Sequence, residues 1–316
     1  MLWDIVAVLL GLGVLLLAGD ALVKGAVNLS LRLGVPALIV GLTVVAFGTS
    51  APELLVSVQA VLADAPALAL GNVVGSNTAN IRLVLGVPAL IAAVPVARSL
   101  MRDYAGMMAA SAFFVGLAFL GPIRWPHALA LLAALALMLG DAVLRARAHR
   151  NGRDAAEVEG AEPGMAWWRI GLFTVLGLIG LPLGADLLVD GAVDIAAALG
   201  VSEAVIGLTL VAVGTSLPEL ATTVMAAVRR EAGVVMGNVL GSNMFNLLGI
   251  IGVAGLVGEI PVPADMLTRD LWVMIGASVL LGWFVLTGRS IGRGWGMAMV
   301  ALYGGYLAVL VLQGGV

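Results

Sequence analysis

Long apolar stretches, separated by short polar breaks, recur along the whole chain of 316 residues. A helix needs about 20 apolar residues to cross a hydrocarbon core of ~30 Å, so a chain of this length has room for roughly ten crossings. The pattern predicts an all-α membrane protein of ten transmembrane helices, near residues 2–19, 35–63, 70–95, 104–121, 126–144, 168–189, 202–228, 234–257, 268–287 and 293–313.

The composition agrees with this pattern. Hydrophobic residues make up 61% and charged residues 11%, whereas soluble domains have roughly 45–50% and about 25%. The few basic residues and the net charge of −3 give no basic surface for nucleic acid. With no cysteine and two histidines, thiolate metal sites, iron–sulfur clusters and cysteine nucleophiles are excluded. Membrane lipid is the expected surrounding, and no obligatory protein partner, enzymatic activity or cofactor is indicated.

One stretch, residues 145–167, carries mixed charge, and we interpret it as an aqueous linker. It divides the chain into a first five-helix unit, residues 1–144, and a second, residues 168–316. With the N-terminus outside, thirteen of the 16 Lys and Arg residues fall on the inner side and two on the outer side. Because basic residues favour the cytoplasmic side, both termini are predicted outside and the linker in the cytoplasm, in a multi-pass protein of the plasma (inner) membrane.

The two units repeat each other at an offset of 166 residues. Residues 41–60, GLTVVAFGTSAPELLVSVQA, match 207–226, GLTLVAVGTSLPELATTVMA, at 13 of 20 positions. The same offset aligns two further pairs, 71–87 with 237–253 and 19–35 with 185–201. Because each unit has an odd number of crossings, the second copy is predicted to be inverted. Inverted repeats with broken helices at matching positions are typical of secondary transporters with a site near the membrane midplane.

The first repeated motif, G-T-S-x-P-E, runs from Gly48 to Glu53 and from Gly214 to Glu219, in the middle of two predicted helices. Proline cannot donate a backbone hydrogen bond, so carbonyls from about Ala46 and Ala212 onward are expected to be partly freed within the bilayer. A bound cation is one partner for such carbonyls, and the carboxylate and two hydroxyls of the motif complete the oxygen ligands that Ca²⁺ and Na⁺ prefer.

A structural interpretation of the same motif is a capping box, in which Ser50 caps the restarted helix and Glu53 lies in its first turn. An acidic residue at the centre of a membrane helix costs roughly 2.5–3.5 kcal/mol on insertion scales, and this chain has two at symmetry-related positions. The repetition favours a functional role, and the capping geometry is compatible with it.

The second repeated motif, G-N-x-x-G-S-N-x-x-N, runs from Gly71 to Asn80 and from Gly237 to Asn246. Its Ser and final Asn are four residues apart and share one helical face. Its glycines, at positions 71, 75, 237 and 241, are expected to let this face approach the broken helices. Hydrogen bonding between helices is the structural alternative. Two carboxylates with neutral oxygens suit a divalent cation, since a softer metal would require Cys or His ligands.

The remaining intramembrane charges are weaker signals. Two pairs correspond by the repeat near the ends of helices 1 and 6, and for these snorkelling or a helix-end ion pair is a simpler interpretation than a role in transport. Three more acids are interpreted as interfacial. These residues are Asp20 with Asp186, Lys24 with Asp190, and Asp103, Asp141 and Asp270.

At these motifs the chain resembles the calcium/cation antiporter superfamily, and within it the prokaryotic Na⁺/Ca²⁺ exchangers. The resemblance covers essentially the whole chain. It implies a fold in which helices 2, 3, 7 and 8 enclose a diamond of cation sites while helices 1 and 6 slide as a gate. It also implies that Glu53 and Glu219 bridge Ca²⁺, with carbonyls of Thr49 and Thr215 completing its shell. The implied Na⁺ ligands are the carbonyls of Ala46 and Ala212 with Ser50, Ser216, Ser76 and Ser242, and Asn80 and Asn246 complete the midplane.

Two positions depart from that family pattern. Some relatives have an acid where this chain has Asn246, which makes dependence on K⁺ less expected here. Arg82 stands where relatives carry an aliphatic residue, and its repeat counterpart is Leu248. It lies about 200° round the helix from the face of Asn80. Either Arg82 packs away from the ions against an acid or the interface, or it acts as a tethered cation that replaces one transported Na⁺.

The sequence therefore predicts a secondary antiporter that exchanges Ca²⁺ for Na⁺. The nearest alternative is an antiporter of H⁺ and Ca²⁺, or of a broader range of divalent cations, in which the same carboxylates carry protons. A channel would need a continuous filter rather than two opposed broken helices. An intramembrane hydrolase is not supported, because no histidine lies near Ser50 or Ser216 in the sequence to form a nucleophile–base pair.

Overall fold

A computed structural model describes residues 2–151, 162, 164–200 and 212–314. Within these ranges the chain is helical, with two isolated antiparallel bridges and no strand. The helices, numbered in chain order, are α1 (Leu2–Leu33), α2 (Ala37–Thr49), α3 (Ala51–Leu62), α4 (Pro66–Arg82), α5 (Gly86–Ile91), α6 (Met101–Phe119), α7 (Trp125–Asn151), α8 (Trp167–Ala198), α9 (Ala212–Gly214), α10 (Leu217–Val228), α11 (Ala232–Val257), α12 (Met266–Thr287) and α13 (Arg293–Gly314).

Six of these helices are long and apolar enough to cross a membrane, namely α1, α7, α8, α11, α12 and α13. The pair α2 and α3 passes the same criterion as one span that bends by 43°. The prediction of an all-α membrane protein is confirmed in this form.

Three helices extend beyond their predicted ends. Helix α1 continues to Leu33 rather than ending near residue 19, and α8 continues to Ala198 rather than ending near 189. In α1 the polar residues that suggested an end are paired, since Asp20 lies 2.5 Å from Arg229 and 3.9 Å from Lys24. Helix α7 runs to Asn151, so the first residues of the predicted linker are helical.

The charges at the start of that linker stabilise its helical conformation. Arg145 lies 2.7 Å from Asp103 of α6 and 3.0 Å from Asp141, one turn earlier in α7. Arg102 also pairs with Asp141. These ion pairs join the ends of α6 and α7, which a count of charged residues along the sequence does not reveal.

Helices α1 and α8 pack along each other at very short distance. A Cβ atom at Gly177 would lie 2.5 Å from the Cβ of Leu22, and one at Gly11 would lie 2.6 Å from the main-chain nitrogen of Leu188. Such contacts require glycine, because any side chain would force the helices apart. The two long helices therefore form a closely packed pair.

Helix α11 passes close to α2, as the glycines of the second motif predicted. A Cβ at Gly237 would lie 2.6 Å from the carbonyl of Leu38, and one at Gly241 would lie 2.6 Å from the carbonyl of Leu42. The residues that correspond to these partners in the other repeat, 204 and 208, lie outside the described residues. For Gly71 and Gly75 the close approach therefore stays a prediction.

Candidate cation site

Two helix breaks hold the acidic residues of the first motif. Between α2 and α3 the break falls at Ser50, and between α9 and α10 it falls at Thr215 and Ser216. Pro52 and Pro218 lie in the first turns of α3 and α10, where their missing N–H costs no helical hydrogen bond. Glu53 and Glu219 follow directly, so each carboxylate stands in the first turn of a restarted helix.

The two breaks meet inside the protein. Ser50 Oγ donates a hydrogen bond of 2.9 Å to Glu219 Oε1, joining residues 169 positions apart. Both glutamates have 0% exposed surface. The structure therefore brings the two repeats of this motif together, with both carboxylates in one buried region.

The capping box does not form in either repeat. Ser50 and Ser216 occupy the N-cap positions of α3 and α10, but neither side chain makes a capping hydrogen bond. The hydroxyl of Ser50 is directed instead to the carboxylate of Glu219. The motif thus breaks and restarts each helix without using its hydroxyl to satisfy the new helix end.

The main-chain carbonyls before the breaks differ between the repeats. The N–H of Ser50 donates to the carbonyl of Ala46 (3.1 Å), so this carbonyl keeps a helical hydrogen bond and was not freed as expected. The N–H of Ser216 donates to Val213 (3.0 Å) rather than to Ala212. A carbonyl oxygen has two lone pairs, and the Thr49 hydroxyl also approaches the Ala46 oxygen, at 3.4 Å.

Many polar atoms of the predicted site are buried without a hydrogen-bond partner in the described part of the chain. Buried polar groups normally have partners, and those without one call for a physical explanation. The atoms are both carboxylate oxygens of Glu53, Oε2 of Glu219, the hydroxyl oxygens of Ser76, Ser216 and Ser242, and both amide atoms of Asn80 and Asn246.

Their chemistry fits a hard cation. The described residues contain no group of three or more His, Cys, Asp or Glu side chains that could hold a metal, so a cation here would rely on two carboxylates and several neutral oxygens. Carboxylate, amide, hydroxyl and carbonyl oxygens are the ligands that Ca²⁺ takes in proteins. A cation would also compensate two buried charges, which are otherwise costly.

The threonines lie beside the two glutamates. Thr49 is buried, and its Oγ1 donates to Asn238 Oδ1 at 3.2 Å, with a longer contact of 3.4 Å to the carbonyl of Ala46. Thr215 is half-buried in the turn between α9 and α10. Ala212 is the first residue of α9.

Two asparagines near the site were not selected from the sequence. Asn72 and Asn238, the second residues of the G-N-x-x-G-S-N-x-x-N motif, donate hydrogen bonds to the main-chain carbonyls of Glu53 (3.1 Å) and Glu219 (3.4 Å). Their repetition at the 166-residue offset was the available signal. It was not used because an asparagine among small residues is also typical of packing between helices.

Three of the charges outside the motifs have hydrogen-bond or ion-pair partners. Arg82 Nη2 donates to the carbonyl of Val273 in α12 at 3.4 Å, which agrees with packing away from the site. Asp20 is paired with Arg229, but in the interior of α1 rather than at a helix end. Asp270 accepts from Arg269 Nε at 2.9 Å and from the hydroxyl of Tyr306 at 3.1 Å.

Comparison with known proteins identifies the family of this chain. The family model for sodium/calcium exchanger proteins matches residues 3–140 and 170–312. The chain is similar to the putative antiporter CaxA of Alkalimonas amylolytica, at 36% identity over 89% of either chain. It is 33% identical to the sodium/calcium exchanger MaX1 of Methanosarcina acetivorans, over 96% of this chain and 97% of that one.

A solved structure matches over the same extent. The sodium-calcium exchanger NCX_Mj, soaked with 2.5 mM Na⁺ and 1 mM Sr²⁺, has a TM-score of 0.81 and 34% identity, covering 98% of both chains. The resemblance inferred from the motifs is thereby confirmed. Since the family model spans nearly the whole chain and agrees with the paired buried glutamates, this protein belongs to the sodium/calcium exchanger family of membrane antiporters.

Proposed function

We propose that this protein is a secondary active antiporter that exchanges Ca²⁺ for Na⁺ across the plasma (inner) membrane by alternating access. The observation that carries the proposal is that Glu53 and Glu219, two fully buried carboxylates, lie where the two helix breaks meet, with the Ser50 hydroxyl of one break donating to Glu219 of the other. A buried pair of negative charges balances one divalent cation, and it balances two monovalent cations equally well. Both ions can therefore compete for one set of oxygens.

The proposed ligands follow the repeat. Glu53 and Glu219 bridge Ca²⁺, and the carbonyls of Thr49 and Thr215 complete its shell. Sodium ions bind toward either face. Their ligands are the carbonyls of Ala46 and Ala212 and the hydroxyls of Ser50, Ser216, Ser76 and Ser242, and the amides of Asn80 and Asn246 complete the midplane. Support comes from the side-chain atoms of this set that are buried without a protein partner.

The proposed frame is ten transmembrane helices in two inverted units, residues 1–144 and 168–316, joined by a cytoplasmic linker at 145–167. Both termini lie outside. The 166-residue repeat and the distribution of basic residues support this arrangement. Helices α1 and α8 occupy equivalent positions in the two units, and their glycine contacts support movement as one body.

Coupling follows from charge compensation. An empty site leaves two uncompensated carboxylates in a low-dielectric region, which disfavours the occluded state that a transporter must pass through. Either one Ca²⁺ or two Na⁺ compensate the two charges and remove this penalty. Helices α1 and α8 can therefore move between the two states only when the site holds cations. Exchange, rather than leak, is then the expected behaviour.

The test is uptake of ⁴⁵Ca²⁺ into proteoliposomes, compared with protein-free vesicles. One batch is loaded with Na⁺, a second with K⁺, and a third with K⁺ under an imposed pH gradient. Uptake with internal Na⁺ alone supports the proposal. Uptake driven by the pH gradient without Na⁺ would favour the proton-coupled alternative, in which the same carboxylates carry H⁺. A persistent Ca²⁺ current without any counter-ion would indicate a channel.

A further inference from the structure

Two residues of the second motif have no place in the proposed ion shell. Asn72 and Asn238 correspond at the 166-residue offset, and each lies one helix after a glutamate of the first motif. Their side-chain amides make the same pair of contacts in the two repeats. Because the same contact is present in both repeats, it was either retained while the two sequences diverged or acquired independently in each.

In the first repeat, Asn72 on α4 reaches back to the start of α3. Its Nδ2 donates to the carbonyl of Glu53 at 3.1 Å and to Ser57 Oγ at 2.9 Å. Ser57 follows Glu53 by four residues, so the amide spans one helical turn, from the carbonyl at its start to the hydroxyl above it.

In the second repeat, Asn238 on α11 makes the equivalent contacts with α10. Its Nδ2 donates to the carbonyl of Glu219 at 3.4 Å and to Thr223 Oγ1 at 3.1 Å. Its Oδ1 also accepts from Thr49 Oγ1 at 3.2 Å, which belongs to the other repeat. Asn238 is fully buried, whereas Asn72 is half-buried.

The turns that these amides contact receive no side-chain cap from their own N-cap serines. The first main-chain bond of each restarted helix, Leu54 to Ser50 at 3.2 Å or Leu220 to Ser216 at 3.0 Å, involves the residue at the break itself. Binding groups must be held to within about 0.5 Å to function, so an external contact to the glutamate's own turn bears directly on its carboxylate.

We propose that Asn72 and Asn238 are positioning residues. They hold the backbone of Glu53 and Glu219 in the position from which both carboxylates contact one cation. The inference rests on the proposed function. Asn238 has the larger role, because its contact with Thr49 also fixes the position of the opposite repeat relative to Glu219. It thereby sets the separation across the site as well as the position of one turn.

The hydroxyl partners provide a matched test. Thr223→Val removes the Oγ1 acceptor with little change in shape, while Thr223→Ser retains it, as Ser57 does at the equivalent position in the native chain. Ser57→Ala and Ser57→Thr form the corresponding pair in the first repeat. Asn238→Ala and Asn72→Ala remove the amides themselves.

The measurement is Ca²⁺ affinity of the purified full-length protein by calorimetry, with the apparent KM and maximal rate of exchange in proteoliposomes. Losing hydrogen bonds to the glutamate turn is expected to weaken Ca²⁺ binding about tenfold in Asn238→Ala and about threefold in Thr223→Val and Asn72→Ala. Thr223→Ser is expected to match the wild type. The double variant Asn238→Ala with Thr223→Val should be no weaker than Asn238→Ala alone.

A purely structural role gives a different pattern. The thermal melting temperature would fall in Asn238→Ala and Thr223→Val while Ca²⁺ affinity and KM stayed at wild-type values, and this would overturn the proposal. If Asn238→Ala does not fold, the comparison of Thr223→Val with Thr223→Ser decides the question, and equal affinities overturn it. A wild-type protein that binds no Ca²⁺ would overturn the proposed function together with the positioning role, whereas normal wild-type exchange with unchanged variants would overturn only the latter.

Discussion

Glu53 and Glu219 occupy the same position in the two repeats, but their surroundings differ. Glu219 accepts a hydrogen bond from Ser50, whereas both oxygens of Glu53 are buried without a side-chain partner in the described residues. Ser216, the counterpart of Ser50, has a hydroxyl that is also buried and unpartnered. Glu219 is therefore held in part by the opposite repeat, whereas in the proposed function Glu53 depends more on the bound cation.

The ends of the two repeats differ as well. At the end of α10, Arg229 pairs with Asp20 of α1 at 2.5 Å. The counterparts by the repeat are Ala63 and Asp186, and these cannot form such a pair. Inverted repeats that were identical would give a symmetric molecule with no preferred side. We therefore expect that this charge contact, present at one end and absent by sequence from the other, biases which end is closed.

We expect the largest effect from changes to the two carboxylates, Glu53 and Glu219. We expect Glu53→Gln and Glu219→Gln each to reduce Na⁺-driven ⁴⁵Ca²⁺ uptake to the level of protein-free vesicles, because either change leaves one charge to balance a divalent ion. Both variants should still fold, since glutamine has the same size and removes a buried charge. Glu162→Gln, at an exposed acid outside the site, is the control. Exchange that persists in either site variant would contradict the shared site.

The second prediction uses the hydroxyls on the two sides of the site. Ser50→Ala removes a donor to a buried carboxylate, and hydrogen bonds to charged groups contribute about 1.5–3 kcal/mol. We expect the apparent KM for Ca²⁺ to rise about tenfold in Ser50→Ala and to change much less in Ser216→Ala, whose hydroxyl makes no contact with a glutamate among the described residues. Initial rates of uptake at varied Ca²⁺ provide the measurement. Equal effects would show that the asymmetry of the two carboxylates does not affect binding.

The third prediction concerns the ion pair that is present at one end and absent from the other. Arg229→Asn removes the ion pair with Asp20, which is partly exposed and therefore worth about 1 kcal/mol at most. We expect the α1–α10 end to open up to about fivefold more often. A cysteine at Thr222, which is fully buried on α10, reports this as faster labelling by a membrane-impermeant maleimide, because the native chain has no cysteine.

Arg230→Asn is the matched control for that experiment. It makes the same substitution and the same change of net charge at the next residue, which is exposed. Asparagine also tolerates the left-handed backbone found at this position, where φ is 62°. Labelling that rises equally in both variants would point to net charge rather than to the ion pair.

The sequence predicted the parts of the site that depend on repetition. Two acidic residues after a proline, copied at one offset, indicated that Glu53 and Glu219 act together, and the structure brings their breaks into contact. It could not predict the hydrogen bond of Ser50 with Glu219, because a serine one residue before the restarted helix equally suits a local cap. Which of the two forms depends on the distance between the repeats, which no local pattern contains.

The same limit explains the other differences. The polar residues of α1 suggested a helix end near residue 19, but Asp20 is stabilised in the helix by Arg229, which lies 209 residues away in the sequence. Asn72 and Asn238 were visible as part of a repeated motif, and their roles depend on which helix each amide faces. Packing between distant segments, rather than local propensity, decided each of these points.

The smallest effect is expected at Arg82, a charge that breaks the correspondence between the repeats because its counterpart is Leu248. Its guanidinium donates to the carbonyl of Val273 in α12, a helix that contributes no proposed ligand. We therefore expect Arg82→Leu, which copies the residue of the second repeat, to leave the charge moved per Ca²⁺ unchanged. The measurement is the number of Na⁺ ions moved per Ca²⁺, from ²²Na⁺ efflux and ⁴⁵Ca²⁺ uptake in the same proteoliposomes. If Arg82 instead replaced one Na⁺ in the site, its removal would let a further Na⁺ bind, and the charge per Ca²⁺ would change by one.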